Sequence, residues 1–526
     1  MISYASFSFF LLFFGITALI YCIMPQKIRW IVLLLGSYAF YFVSSKGNVI
    51  PLIIVSLLVW GFGLWIQKMN ENMKLKRKNA SSKEEKKTIR AKYNQYKRRI
   101  LTLGVVLVVL ILLFCKYINF FIDTLNIIPA LNIKELSVIQ PLGISFFVLE
   151  GISYIADVYY GKIEAEKNPL KISLYLSFML TVVEGPIARY SQLGTQLCEC
   201  KYNNLEDISK GYIRVVWGLF KKVVIADRAV LVVSAVFDNH ENYSGIPVAV
   251  AILFYTLQLY CEFSGVMDIM CGLGRMLGIE LPENFNQPFF AKSINEFWQR
   301  WHISLGSFLR DYIFYPVSLS SGIKNISAKT KEKFNPYYAN LIPTSVALFF
   351  VWFTNGFWHG SGWKYITYGL YYYFLMMLGL FFKPLTDKLC DKLKINRESK
   401  GFGFFAVLRT TVIVNIGMLI FRADTLKTAL NMFSSMFSRG DFSVLIPGGE
   451  NSIDINFYDY AVIIVGFFII LLVGIFKEKK VDIIQKIYNL PFALKFVLYL
   501  AAIFVIIIMG AYGEGYGVVD LIYANF

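Results

Sequence analysis

Two histidines set out what chemistry this chain could perform. The sequence contains only three, and two of them stand beside tryptophans: His302 in FWQRWHISLG and His359 in NGFWHGSGW. Histidine takes up and releases a proton near neutral pH, so the pair points to acid–base work. His359 ends a long apolar run and is crowded by Trp358, Gly360, Gly362 and Trp363. Such dry surroundings disfavour the charged ring, which leaves either a neutral general base or a satisfied core histidine. Around His302, residues Phe297, Trp301, Leu305, Phe308 and Tyr312 recur at helical spacing, and the spacing predicts one amphipathic helix. Arg300, Arg310 and Asp311 give that helix its charge, either to meet a phosphate-bearing donor or to pair with headgroups and with one another. The third histidine, His240, falls in the polar turn DNHENYSG and reads as a solvent-facing loop residue.

The elements that must hold these residues belong in a bilayer. Of 526 residues, 56% are hydrophobic and only 17% charged, with 47 Phe and 33 Tyr, and the mean hydropathy is +0.55. The expected fold class is an all-α polytopic membrane protein, with about eleven to thirteen membrane elements plus re-entrant and interfacial helices. A formal net charge of +17 would suit a nucleic-acid binder, but its distribution argues otherwise. Residues 68–99 carry thirteen Lys or Arg and three Glu between two apolar spans. That is a cytoplasmic orientation signal, which places the N-terminus outside and excludes nucleic acid as a partner. The first apolar stretch lacks a basic flank and a cleavage site and reads as an anchor. The seven cysteines show no metal-ligand spacing and read as small hydrophobes, so no metal is expected.

Beyond residue 140 the apolar runs are interrupted. Glu150 and Asp157 lie in a membrane-scale segment, where they either face a polar interior or sit at an interface. LSFMLTVVEGPIARYSQL places Gly185-Pro186 inside a span, which predicts a broken or re-entrant element. Lys221 and Lys222 read as membrane-surface anchors, and FRADTLKTALNMFSSMF as a short interfacial helix with Leu426, Leu430, Phe433 and Phe437 on one stripe. The GLG near Arg275 follows no strand and is no nucleotide loop.

Taken together, NFNQPF, FWQRWHISLGSFLRDYIF and NGFWHGSGW, with PLGISFF, EGPIARYSQL, LFKKVVIADR, FRADTLKTA and AYGEGYG, resemble the membrane-bound O-acyltransferases. The similarity runs over residues 141–526 and is strongest to the bacterial alginate O-acetylation type, with teichoic-acid D-alanylation proteins as a sister type. It implies a ring of helices around a funnel, with the family's histidine pair on His302 and His359 and the second as principal catalytic residue. It also implies a cytosolic acyl-thioester donor (acetyl-CoA or an acyl carrier protein), no tightly bound cofactor, a polysaccharide acceptor, and an extracytoplasmic partner of acyltransferase or esterase fold. Asn355 and Trp358 join Arg300, Arg310 and Asp311 as substrate-binding candidates, with either Asn355 or a backbone N–H near Gly360 as the oxyanion donor and an acyl-histidine intermediate as the rival to general-base catalysis.

Three positions depart from the pattern. Tyr372 stands where a further histidine is expected, Glu184 precedes the Gly-Pro, and the tail at 522–526 is less aromatic. The expected organisation is one integral membrane domain in a bacterial cell membrane, with peripheral helices over 1–135, a catalytic core over 136–437 and C-terminal helices over 438–526. A transporter or lipid-handling protein without chemistry would use interior acids equally well but would not need His359.

Overall fold

In lipid every backbone polar group must be satisfied within the protein, so the apolar runs have little choice but to become helices. The computed structural model describes residues 2–128, 131–201, 204–449, 452–512 and 516, and the tail at 522–526 lies outside them. Among the described residues eight helices are long and apolar enough to cross a membrane, or nine if Trp363–Phe381 and Lys383–Lys392, bent by 50°, form one span. The other expected membrane elements are shorter or more polar. Residues 4–23 become a π-helical turn, Phe9–Gly15, running into Ile16–Ile23, and the segment with Glu150 is the 17-residue helix Ile144–Tyr160.

The chain divides into two compact units. The first comprises the described residues of 2–212 and 270–282. Its basic connection, expected as a loop over 68–99, is helical almost throughout. Ile50–Lys78 and Lys83–Leu112 run through it and turn only at 79–82. Ser82 sets the restart, because its hydroxyl accepts from Glu85 N at 3.0 Å while the Glu85 carboxylate accepts from Ser81 N at 2.9 Å. Lys76, Arg77 and Lys78 occupy the last turn of the first helix, where the macrodipole favours cations.

The same unit contains the expected broken element. Helix Pro169–Ser177 stops, yet every residue from 174 to 190 is buried. Side chains satisfy the irregular backbone. The Tyr4 hydroxyl donates to Met179 O at 2.8 Å, Ser37 Oγ accepts from Met179 N at 3.1 Å, and Tyr175 donates to Ala188 O at 2.8 Å. Glu150 is wholly buried and accepts from Ala188 N at 3.3 Å, while Asp157, also buried, meets Lys162 at 3.1 Å. Both carboxylates thus serve the protein interior.

The second unit comprises the described residues of 213–269 and 283–516, and holds both candidate histidines. Lys221 and Lys222, expected at the membrane surface, are buried in the π-helical turn Phe220–Ala226. Carboxylates draw them inward: Lys221 binds Asp268 at 2.6 Å and Lys222 binds Asp227 at 2.6 Å and Glu262 at 3.2 Å. A buried Arg228–Asp459 pair lies in the same unit. The short helix Leu426–Ser435 buries Ala429 and Met432 and leaves Leu430 exposed, while Phe437, expected on the same stripe, lies exposed just beyond its end. His240 is half-buried in a 3-10 turn.

Candidate active site

His302 is placed by a break in the helix that its spacing predicts. Helix Ile294–Arg300, capped by Ser293, ends at Trp301, and a new helix, Ile303–Leu309, starts immediately after His302. Between them His302 takes a left-handed backbone with φ 48°, a region where histidine is enriched over bulkier residues. The cause lies in residues 284–286, which pair with the chain across the break. Asn286 N donates to Arg300 O at 2.9 Å, Ile303 N donates to Asn284 O at 3.0 Å, and Phe285 and Trp301 form an antiparallel bridge. The continuous amphipathic helix is therefore replaced by two short helices hinged at the histidine. The His302 ring is buried edge-on against Phe263, with centroids 4.8 Å apart. That burial pushes its pKa down to about 3, so the imidazole is neutral at physiological pH.

His359 is the last residue of helix Pro336–His359 and is buried by aromatic rings: Trp358 at 5.1 Å, Phe421 at 5.3 Å and Tyr368 at 5.7 Å. The close crossing of this helix with Trp363–Phe381 depends on two glycines. A Cβ on Gly356 would lie 2.4 Å from Tyr365 O, and one on Gly369 would lie 2.3 Å from Trp352 O. Tyr372, at the position where a histidine was expected, packs against Trp298 at 4.9 Å and Tyr368 at 5.1 Å. It extends the aromatic wall behind His359.

A cavity of about 400 Å³ adjoins His302. Of the candidate site residues, His302, Asn355 and Arg310 line it, with Trp301 and Leu305 of the helical stripe, whereas His359 and Trp358 are not among its lining residues. Trp358 stands between the histidines, in ring contact with His302 at 5.7 Å and with His359 at 5.1 Å. Asn355 Nδ2 and Trp298 Nε1 are buried at the cavity wall with no hydrogen-bond partner among the described residues. Two such donors suit a carbonyl oxygen that becomes negative. Arg300 lies elsewhere, bound to Glu296 at 2.8 Å, to Glu478 and to the carbonyl of Gln287 at 3.3 Å. Asp311 pairs with the exposed Arg310 at 3.0 Å.

Asn284 and Phe263 join the site without any signal of their own in the sequence, and Trp298 joins it from within FWQRWHISLG. Asn284 stands within NFNQPF, but its partners lie 17 to 20 residues away. Behind it lies a second, polar cavity of about 40 Å³, lined by Arg214, Lys221, Asp268, Glu283 and Lys477. Arg214 bridges Asp268 at 2.9 Å and Glu283 at 2.5 Å, so these charges neutralise one another close to the site.

Comparison with known proteins adds to this geometry. Residues 163–331 match the model of the membrane-bound O-acyltransferase family. The chain is 33% identical to the probable alginate O-acetylase of Azotobacter vinelandii over 385 residues, covering 72% of this chain and 70% of that protein. It is 32% identical to the peptidoglycan O-acetyltransferase of Helicobacter pylori over 389 residues, 69% of each. Against the teichoic acid D-alanyltransferase of Bacillus subtilis the figure is 29% over 290 residues, 54% of this chain and 69% of that protein.

Proposed function

The chain belongs to the membrane-bound O-acyltransferase family, and on that premise we propose that it carries an acyl group, acetyl in the first instance, from a cytosolic thioester to hydroxyls of a cell-surface or secreted polysaccharide. It is a multi-pass membrane O-acyltransferase. One observation carries the reading to this site: buried His302 lines a cavity whose wall holds two unengaged donors, and Trp358 links its ring to that of buried His359. Relatives named for O-acetylation of alginate and of peptidoglycan support a carbohydrate hydroxyl as acceptor. Transfer of D-alanine to teichoic acid is the more distant reading, since that relative matches a smaller share of this chain.

The transfer makes one C–O bond and breaks one C–S bond. As the acceptor oxygen attacks the thioester carbonyl its proton must leave, and His359 is the principal base, with His302 as the second proton-handling ring. The carbonyl oxygen gains negative charge, which Asn355 Nδ2 and Trp298 Nε1 stabilise. When the tetrahedral species collapses, the proton passes to the departing thiolate. Arg310, at the cavity, suits a phosphate on the donor, whether coenzyme A or the prosthetic group of a carrier protein. The donor enters from the side of residues 68–99, the cytoplasm of a bacterial cell; with an esterase-fold partner outside, the hydroxyl acylated here is the partner's, and the partner then exchanges that ester for one on a polymer hydroxyl, regaining its own hydroxyl.

The test supplies purified protein with radiolabelled acetyl-CoA or acetylated carrier protein and with polymer, with and without the partner. Label on the polymer or the partner is expected, and none with His359→Ala. Failure of every thioester to donate would overturn the proposal, and transfer of D-alanine alone would select the other reading.

A further inference from the structure

We propose that Asn284 fixes which nitrogen of His302 carries the hydrogen and thereby makes Nε2 of that ring a proton acceptor in the transfer. The chemical consequence rests on the acyltransfer reading above, whereas the geometry does not. Asn284 is 1% exposed and ties helix Ile246–Met276 to the start of helix Ile303–Leu309. Its backbone oxygen accepts from Ile303 N at 3.0 Å. Its side-chain Oδ1 accepts from Ser304 N at 3.0 Å and stands 3.3 Å from His302 Nδ1, while its Nδ2 donates to Met267 Sδ at 3.1 Å.

The direction of each bond follows from a single fixed donor. A backbone N–H has a hydrogen to give and no lone pair to offer, so the amide atom facing Ser304 is the oxygen. An amide oxygen only accepts. The contact to Nδ1 is therefore a hydrogen bond only if Nδ1 brings the hydrogen. A neutral imidazole has one N–H, and with that hydrogen on Nδ1 the lone pair lies on Nε2. Burial keeps the ring neutral, with its pKa pushed down to about 3.

In this state His302 has no hydrogen to offer a substrate at Nε2, so its part is to accept one. The proton that leaves the acceptor hydroxyl, as that oxygen bonds to the acyl carbon, is held within the histidine pair. It goes to the sulfur as the C–S bond breaks, and both rings end neutral. Asn284 touches no reacting atom in this scheme; it is a positioning residue. The charged and titratable groups around the pair include Arg214, Lys221, Tyr260, Asp268, Glu283 and Lys477 at the polar cavity that Asn284 also lines, Arg310 at the larger cavity, and His359 beyond Trp358 with Tyr368 against it.

Two measurements test the assignment. Wild-type protein labelled with ¹⁵N-histidine has only three imidazoles to resolve, and His302→Gln identifies the signal. Nδ1 of His302 is expected to be protonated and Nε2 unprotonated between about pH 6 and pH 8; the reverse pattern overturns the proposal whether or not any thioester is turned over. In Asn284→Asp the carboxylate keeps both acceptor contacts but adds a negative charge beside Nδ1–H, which favours the imidazolium. The acid limb of kcat is then expected at least one pH unit above that of wild type, with KM for the thioester within about twofold. A profile superimposable on wild type would sink the role in transfer. The Nδ1–H form in a protein that transfers nothing would support the tautomer and defeat the acyltransfer reading alone.

Discussion

His302 and His359 are both buried, but they are held by different means, and their substitutions should read differently. His359 is enclosed by rings at the end of a long helix, so His359→Ala should abolish acylation of the polymer, by about 10²-fold or more, with membrane levels unchanged. Quantitative acetate release from the polymer checks it. Asn355→Leu removes a donor that has no other duty, and kcat should fall by about 10- to 100-fold with little change in KM. For His302 the depressed pKa also has a stability consequence. A group protonated less readily when folded stabilises the fold above its unfolded pKa, near 6.5, and that contribution is lost as the pH falls towards about 3. Stability should therefore decline by roughly 1.4 kcal/mol per pH unit from this group across that window. Thermal unfolding in detergent at several pH values should show His302→Gln to be the flatter of the two. The aromatic burial of the two histidines was legible because tryptophans flank them in the sequence. Asn284 was not, because an asparagine acquires its meaning from partners that the sequence does not place beside it.

At the scale of elements, the break at His302 shows what periodicity misses. Phe297, Trp301, Leu305 and Phe308 keep helical spacing, yet three residues from 284 to 286 take the backbone bonds that would have continued the helix. Periodicity weighs side chains along one segment and is blind to a competing backbone from another. Lys221 and Lys222 misled for the same reason. They look like surface cations until Asp227, Glu262 and Asp268 arrive from other positions in the chain. The buried acids and the broken element at Gly185 were legible, since lipid tolerates charge or Gly-Pro inside an apolar run only where protein surrounds it. The crossing of Pro336–His359 with Trp363–Phe381 gives the prediction at this scale. Gly356→Ala or Gly369→Ala puts a methyl group against a carbonyl of the other helix. Each should cost about 1–3 kcal/mol, seen as a lower Tm, and activity should fall with it because His359 ends one of the two helices.

For the molecule as a whole, the distribution of charge and apolar length decides how it sits in the bilayer. The basic stretch is built into two helices, with Lys68, Lys83, Lys86, Lys87, Arg90 and Lys92 outside the buried core. Replacing Lys83, Lys86, Lys87, Arg90 and Lys92 by Gln weakens the orientation signal. A cysteine at position 81 should then react with impermeant reagent from outside in a measurable fraction of molecules, whereas in the parent it should react only from inside. The buried, irregular backbone between Ser177 and Tyr190 bears on how such a chain is made. No helix satisfies that segment, so it cannot enter the bilayer as an autonomous span; it needs the hydroxyls of Tyr4, Ser37 and Tyr175. All three precede the residues they serve, Met179 and Ala188, in the order of synthesis. The ribosome thus delivers the partners first, and the segment emerges into a membrane where its hydrogen bonds already wait.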